Sequence, residues 1–102
     1  MDCKDCDLVK ANLSGANLFM ANLTRTDLRR ADLTGANLMG AKLSRTNLYL
    51  ADLTGAYLTE ADLSDADLTG ANLTGADLSS AILDDVIGAD FTGAVNVPPK
   101  YR

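Results

Sequence analysis

Leucine stands at positions 8, 13, 18, 23, 28, 33, 38, 43, 48, 53, 58, 63, 68, 73, 78 and 83, sixteen times in succession at a spacing of five. A period of five matches neither the 3.6 residues of an α-helix nor the two of a strand, so no long helix or strand can bury all these leucines on one side. The chain must turn every few residues. Two residues before each leucine stands Ala, except at Cys6, Thr26 and Thr46. The residue between is Asp or Asn, replaced only by Lys42, Tyr57 and Ile82, and Ser or Thr commonly follows the leucine. The unit is A-(D/N)-L-(S/T)-x.

If each unit is a short extended segment followed by a corner, strand alternation points the alanine and the leucine to one side and the Asx to the other. The corner falls on the two residues after the leucine, where hydroxyl residues and Gly are good turn formers. Wound in one direction, such a chain makes a hollow square tube filled with leucine and alanine. Four units per coil would stack residues twenty apart, and two columns support that number. The three departures from alanine, Cys6, Thr26 and Thr46, fall one above another, which random placement among sixteen slots achieves about 3 times in 100. Gly15, Gly35, Gly55 and Gly75 form a second column, each at the third turn position after Ser or Thr, as a type II turn with positive φ requires.

This pattern resembles the pentapeptide-repeat family, over residues 6 to 85. The resemblance implies an all-β solenoid, a right-handed quadrilateral parallel β-helix, here with about four coils of four pentapeptides; the handedness comes from the family alone. Residues 1–5 are then expected as an N-terminal cap, 6–85 as the β-helix and 86–102 as a short C-terminal cap and tail. The core is narrow and aliphatic, with Leu8, Leu28, Leu48 and Leu68 on the first face, consistent with five per cent aromatic residues and no Trp.

At the N-terminal end Cys3 falls in a leucine slot and Cys6 in an alanine slot, so both read as small core residues of the first coil. A redox pair or half of a metal site is the rival reading of C-x-x-C, but there is no histidine and no second Cys pair; a disulfide is the third. At the other end Gly88 stands where the next leucine is due, and ADFTG at 89–93 restores the motif three residues out of phase. Val86 to Gly88 therefore reads as an insertion, Phe91, Val95 and Val97 as a lid, Pro98 and Pro99 as a stop to strand pairing, and residues 100–102 as a loose tail.

Enzymatic chemistry finds little footing. No histidine is present to act as a base, and the Ser, Thr and Asp residues sit at repeat offsets that structure explains. No catalytic residue, cofactor or metal is expected. Asp62, Asp65, Asp84 and Asp85 crowd one face as a candidate acidic surface, read as solvated carboxylates. No stretch is long and apolar enough to span a bilayer, so neither a membrane nor a signal sequence is expected and the location is taken as cytoplasmic.

Residues 1–50 carry seven Lys or Arg against five Asp or Glu, and residues 51–102 two against nine. The charge asymmetry therefore runs along the tube. Direct nucleic-acid binding is not expected from a chain of net charge −5 without an aromatic platform. The leading reading is a non-catalytic scaffold for a protein partner, with Phe19, Met20, Met39 and Tyr57 on the third face as candidate surface. Some relatives that the pattern resembles mimic duplex DNA and occupy the DNA site of a type II topoisomerase, gyrase, which makes that the alternative. A purely structural protein is a third, and a homodimer through an end of the solenoid is a further possibility. A rod of four to five coils at about 4.8 Å each would be roughly 20 to 25 Å long.

Overall fold

The computed structural model describes all 102 residues. Its scaffold is a ladder of parallel bridges between residues twenty apart, at every step from Asp2↔Asn22 to Asp67↔Ile87. The leucine N–H groups, except those of Leu73 and Leu83, donate to the carbonyl of the Asx position one coil on, as from Leu28 to Asn47 at 2.8 Å, and from Asn22 onward the Asx-position N–H groups donate back to the preceding coil, as from Asp27 to Cys6 at 2.9 Å. Backbone groups are thereby satisfied without any long strand. Four faces follow in chain order: the first around Leu8, Leu28, Leu48 and Leu68, the second around Leu13, the third around Leu18, the fourth around Leu23. The Cα envelope measures 31 × 22 × 21 Å, its longest dimension greater than the rod length that the repeat alone implies.

Leucine and alanine fill the tube from Leu18 to Leu83, with buried Thr26 and Thr46 in two of the alanine slots. Leu28, Leu48 and Leu68 are wholly enclosed, whereas Leu8 and Leu13 are half-buried because a coil covers them from one side only. Residues 1–5 already belong to the ladder: Asp2 bridges Asn22, and Asp5 N–H donates to Thr24 at 2.9 Å.

Each corner is closed by a hydrogen bond from the alanine-slot N–H to the preceding leucine carbonyl, as from Ala31 to Leu28 at 3.0 Å. The second corner residue has positive φ throughout, not just in the glycine column: Arg30 lies at 60°, Leu50 at 57° and Glu60 at 62°. Type II turns account for this. The Asx residues have a specific task. Each one accepts, through its side-chain oxygen, the amide of the residue just past the leucine, as from Thr34 to Asp32 at 3.0 Å and from Tyr49 to Asn47 at 3.1 Å. That amide has no partner in the ladder, so the side chain supplies one. Lys42, Tyr57 and Ile82 cannot accept in this way.

Four expectations about the ends need correction. Cys3 and Cys6 are joined as a disulfide, with Cα atoms 5.2 Å apart; a leucine slot and the next alanine slot both point inward across one closed corner, so two thiols placed there meet. Val86 and Ile87 are not an insertion, since Asp67 bridges Ile87 in the regular register. The irregularity follows them, because Asp77 bridges Val95 only eighteen residues on: the last coil is two residues short. Gly88, with φ of 66°, makes the tightened bend, and a Cβ there would collide with Thr69.

The tail is docked rather than loose. Residues Pro99–Tyr101 form a 3-10 turn, and Phe91, Ala94, Val97 and Tyr101 pack on the end of the core. Val95, expected in the lid, pairs with Asp77 as an Asx-position residue and so faces solvent. Tyr101 takes its place.

Candidate functional site

On the third face the ladder fixes the order of the exposed apolar residues. Met20 N–H donates to the Met39 carbonyl at 2.9 Å, and Phe19 thereby lies one coil from Met39 in the same column. Tyr57 follows one coil further, its carbonyl accepting Leu38 N–H at 2.8 Å. Phe19 and Tyr57 are 54% and 53% exposed, Met20 61% and Met39 37%. Met20 and Met39 lie side by side, whereas Phe19 and Tyr57 stand two coils, about 10 Å, apart. The Met20 thioether leans across Gly40, where a Cβ would strike its sulfur. Glycine at that place gives the methionine a flat seat.

Tyr57 stands where the repeat calls for Asx. The Thr59 amide consequently lacks the side-chain acceptor that the equivalent amides of Phe19 and Met39 find in Asn17 and Asn37, at 3.2 and 3.1 Å. The residue gives up a local hydrogen bond and displays half a phenol ring.

The acidic residues are brought together on the fourth face and its following corner, where Asp65 N–H donates to the Asp84 carbonyl at 2.9 Å. Their carboxylates do not converge on a metal site. Asp62 accepts the Ser64 amide and hydroxyl at 3.0 and 2.6 Å. Asp84 holds the tail, accepting the Tyr101 hydroxyl at 2.7 Å and the Lys100 ammonium at 3.0 Å. Those two contacts, the phenol first, hold the Asp84 carboxyl below the ordinary carboxylate range. Asp65 and Asp85 remain without an ion-pair partner within the chain.

Sequence reasoning passed over a second apolar pair, Tyr49 and Leu50 on the first face, 39% and 38% exposed. The same counting of positions after the leucine reveals them. Leu50 lies over Gly70 as Met20 lies over Gly40. Among the cations, Arg25 pairs with Asp5 at 2.8 Å and Arg29 with Asp27 at 2.7 Å, which lowers both carboxyls through the guanidinium hydrogen bonds.

Comparison with known proteins agrees with the repeat. The family model described as pentapeptide repeats matches residues 6–45 and 46–85, in eight copies. Among solved structures, a pentapeptide repeat protein from Nostoc Pcc 7120 is 38% identical with a TM-score of 0.75, over 87% of this chain and 83% of that one. The protein Rfr23 from the cyanobacterium Cyanothece 51142 is 37% identical with a TM-score of 0.49, over 90% of this chain and 65% of that one. A pentapeptide repeat protein from the Arabidopsis thaliana thylakoid lumen is 33% identical with a TM-score of 0.46, over 97% of this chain and 73% of that one. No protein of curated function matches the chain.

Proposed function

We propose, because this chain belongs to the pentapeptide-repeat family, that it is a non-catalytic binding scaffold of about four right-handed coils whose third face docks a partner protein. Proteins of this family are generally structural or binding proteins rather than enzymes. The observation that carries the reading is Tyr57. Leaving the Thr59 amide without its side-chain acceptor forgoes a hydrogen bond worth about 0.5 to 1.5 kcal/mol, and a repeat breaks its own rule most readily where function demands it. The exposed ring extends the surface of Phe19, Met20 and Met39, residue types suited to an adaptable protein interface.

Phe19→Asp combined with Met39→Asp is expected to abolish capture of the partners that the wild-type protein binds in extracts of its own cells, with circular dichroism unchanged. Tyr57→Asn should weaken the same capture while raising the melting temperature, because the amide regains its acceptor. Undiminished capture by the double variant overturns the reading.

A DNA-mimicking modulator of a type II topoisomerase needs an acidic rod. A net charge of −5 along the 31 Å longest dimension is about 0.2 per Å, against about 0.6 for duplex DNA. Arg30, Arg45 and Lys42 also stand exposed in the N-terminal half. A gyrase supercoiling assay separates the two readings, and the scaffold reading expects no inhibition. The protein is taken to act in the cytoplasm.

A further inference from the structure

The corner between the fourth and first faces reads, coil by coil, Asp5, Arg25, Arg45, Asp65, Asp85, all at positive φ and all exposed. Beyond Asp5 the column is two cations followed by two anions, the first cation, Arg25, already paired with Asp5. The order is antisymmetric about the gap between Arg45 and Asp65. The adjoining Asx column of the fourth face has the same property about the same gap, with Lys42 before it and Asp62 after it. Neither Arg45 with Asp65 nor Lys42 with Asp62 forms an ion pair within the chain, although each couple is separated by one coil.

We propose that the fourth face and this corner form a self-association surface, on which a second copy of the chain docks antiparallel about a twofold axis passing between the coils of Leu43 and Leu63. A rotation about an axis lying in the face and perpendicular to the tube keeps each column opposite itself and reverses its direction. Arg45 then meets Asp65 of the second copy, Lys42 meets Asp62 and Arg25 meets Asp85, and the twofold repeats every pair. A parallel arrangement, about an axis along the tube, would carry the corner column to the opposite edge of the face and set Lys42 against Lys42 and Asp62 against Asp62, so charge selects the antiparallel one. The coil spacing is common to both copies, which keeps the columns in step over their whole length.

The ground between the charges suits close approach. The residues just past the first three leucines here are Thr24, Ser44 and Ser64, all small, so the face is flat up to the last coil, where Asp84 holds Tyr101 and Lys100 of the tail. Two of the three departures from Asx, Lys42 and Ile82, lie on this face, and each gives up the local amide bond as Tyr57 does. Ile82 is 43% exposed and comes opposite Asn22 of the second copy. A face drawn from the 31 × 22 Å envelope offers on the order of 600 Å² per copy, which places the pair at the lower edge of stable interfaces. Its affinity should therefore be modest and salt-sensitive.

Sedimentation of the purified chain tests this. The wild type should be dimeric at about 100 μM protein in about 50 mM salt and shift towards monomer at about 500 mM, where exposed charges are largely screened. Arg45→Asp alone and Asp65→Arg alone should each weaken dimerisation more than tenfold. Both keep the fold, since Asp already occupies this corner conformation at Asp5 and Asp85 and Arg does so at Arg25. Combining the two exchanges the charges on both copies and should restore the dimer. A monomeric wild type at low salt, a dimer that survives either single reversal, or a double variant that stays monomeric overturns the proposal.

Discussion

The Thr46 hydroxyl donates to the carbonyl of Leu23 at 3.1 Å, one corner lower in the stack, and Thr26 does the same to Cys3 at 2.8 Å. Both threonines are enclosed in alanine slots. Each of those carbonyls already accepts the corner amide of its own coil, from Thr26 and Cys6, so the hydroxyl adds a second bond and ties successive corners together. The extra bulk in this column is thus a buried polar ladder, and no buried side-chain oxygen or nitrogen is left unpaired.

Thr46→Val keeps the shape and deletes the donor. The carbonyl retains its amide, so the loss should be that of one neutral hydrogen bond and its solvation, about 1 to 2 kcal/mol. Chemical denaturation should show a lower midpoint with an unchanged slope. A variant as stable as the wild type would mean the hydroxyl adds nothing to the stack.

Much of the fold was legible because its cause is local and periodic. The leucine beat forces a corner every five residues, and the columns of Thr26 with Thr46 and of Gly15 with Gly35 announce the twenty-residue coil. Other features were hidden for definite reasons. The phase at Phe91 is the same whether three residues are added or two removed, and only the Asp77↔Val95 pairing distinguishes them. The tail contact from Tyr101 to Asp84 spans seventeen residues and belongs to no repeat. Leucine and methionine at Leu50 and Met20 do not advertise positive φ; the corner imposes it on them. The four apolar residues of the third face could be placed by counting, but the missing acceptor at Thr59 emerged only from the hydrogen bonds.

The disulfide should matter little to the tube. It closes a loop of three residues' separation that the Cys6 amide and Cys3 carbonyl already close at 2.9 Å. In the chain-entropy account so short a loop is worth about 2 kcal/mol or less. Cys3→Ala with Cys6→Ala should therefore unfold at slightly lower denaturant and keep its β-rich spectrum and its partners. Loss of partner capture on reduction would assign the pair a functional role.

Acid should release the tail before it unfolds the coils. The Asp84 carboxyl is depressed by the Tyr101 hydroxyl and the Lys100 ammonium, so its contribution is complete above the ordinary carboxylate value, about 3.9, and is lost as pH falls through the lower folded value. Lys100 is raised by the same contact, and its share persists until pH rises through that raised value. Between these limits the cap should be insensitive to pH. Tyrosine fluorescence and limited proteolysis at residues 98–102 should change in acid at a pH where the coil spectrum is still intact, and Asp84→Asn should show the released state at neutral pH. Protection of the tail in that variant would reassign the docking to the apolar packing of Phe91 and Val97.

The corners offer the sharpest test of backbone geometry, and Arg30 is the cleanest place to make it. Its φ is 60°, it is exposed, and it has no ion-pair partner, so a substitution there changes little besides the turn. A non-glycine residue held in the left-handed region carries a steric cost of about 1 to 2 kcal/mol, and glycine carries none. A β-branched residue fares worst, because its second γ substituent crowds the backbone. The melting temperature should therefore fall in the order Arg30→Gly, wild type, Arg30→Val, with glycine gaining up to about 1 kcal/mol once its greater freedom in the unfolded chain is subtracted. Solubility and circular dichroism should be alike in all three. If valine is as stable as glycine, the corner does not depend on positive φ at its second residue, and the type II assignment for the whole stack fails with it.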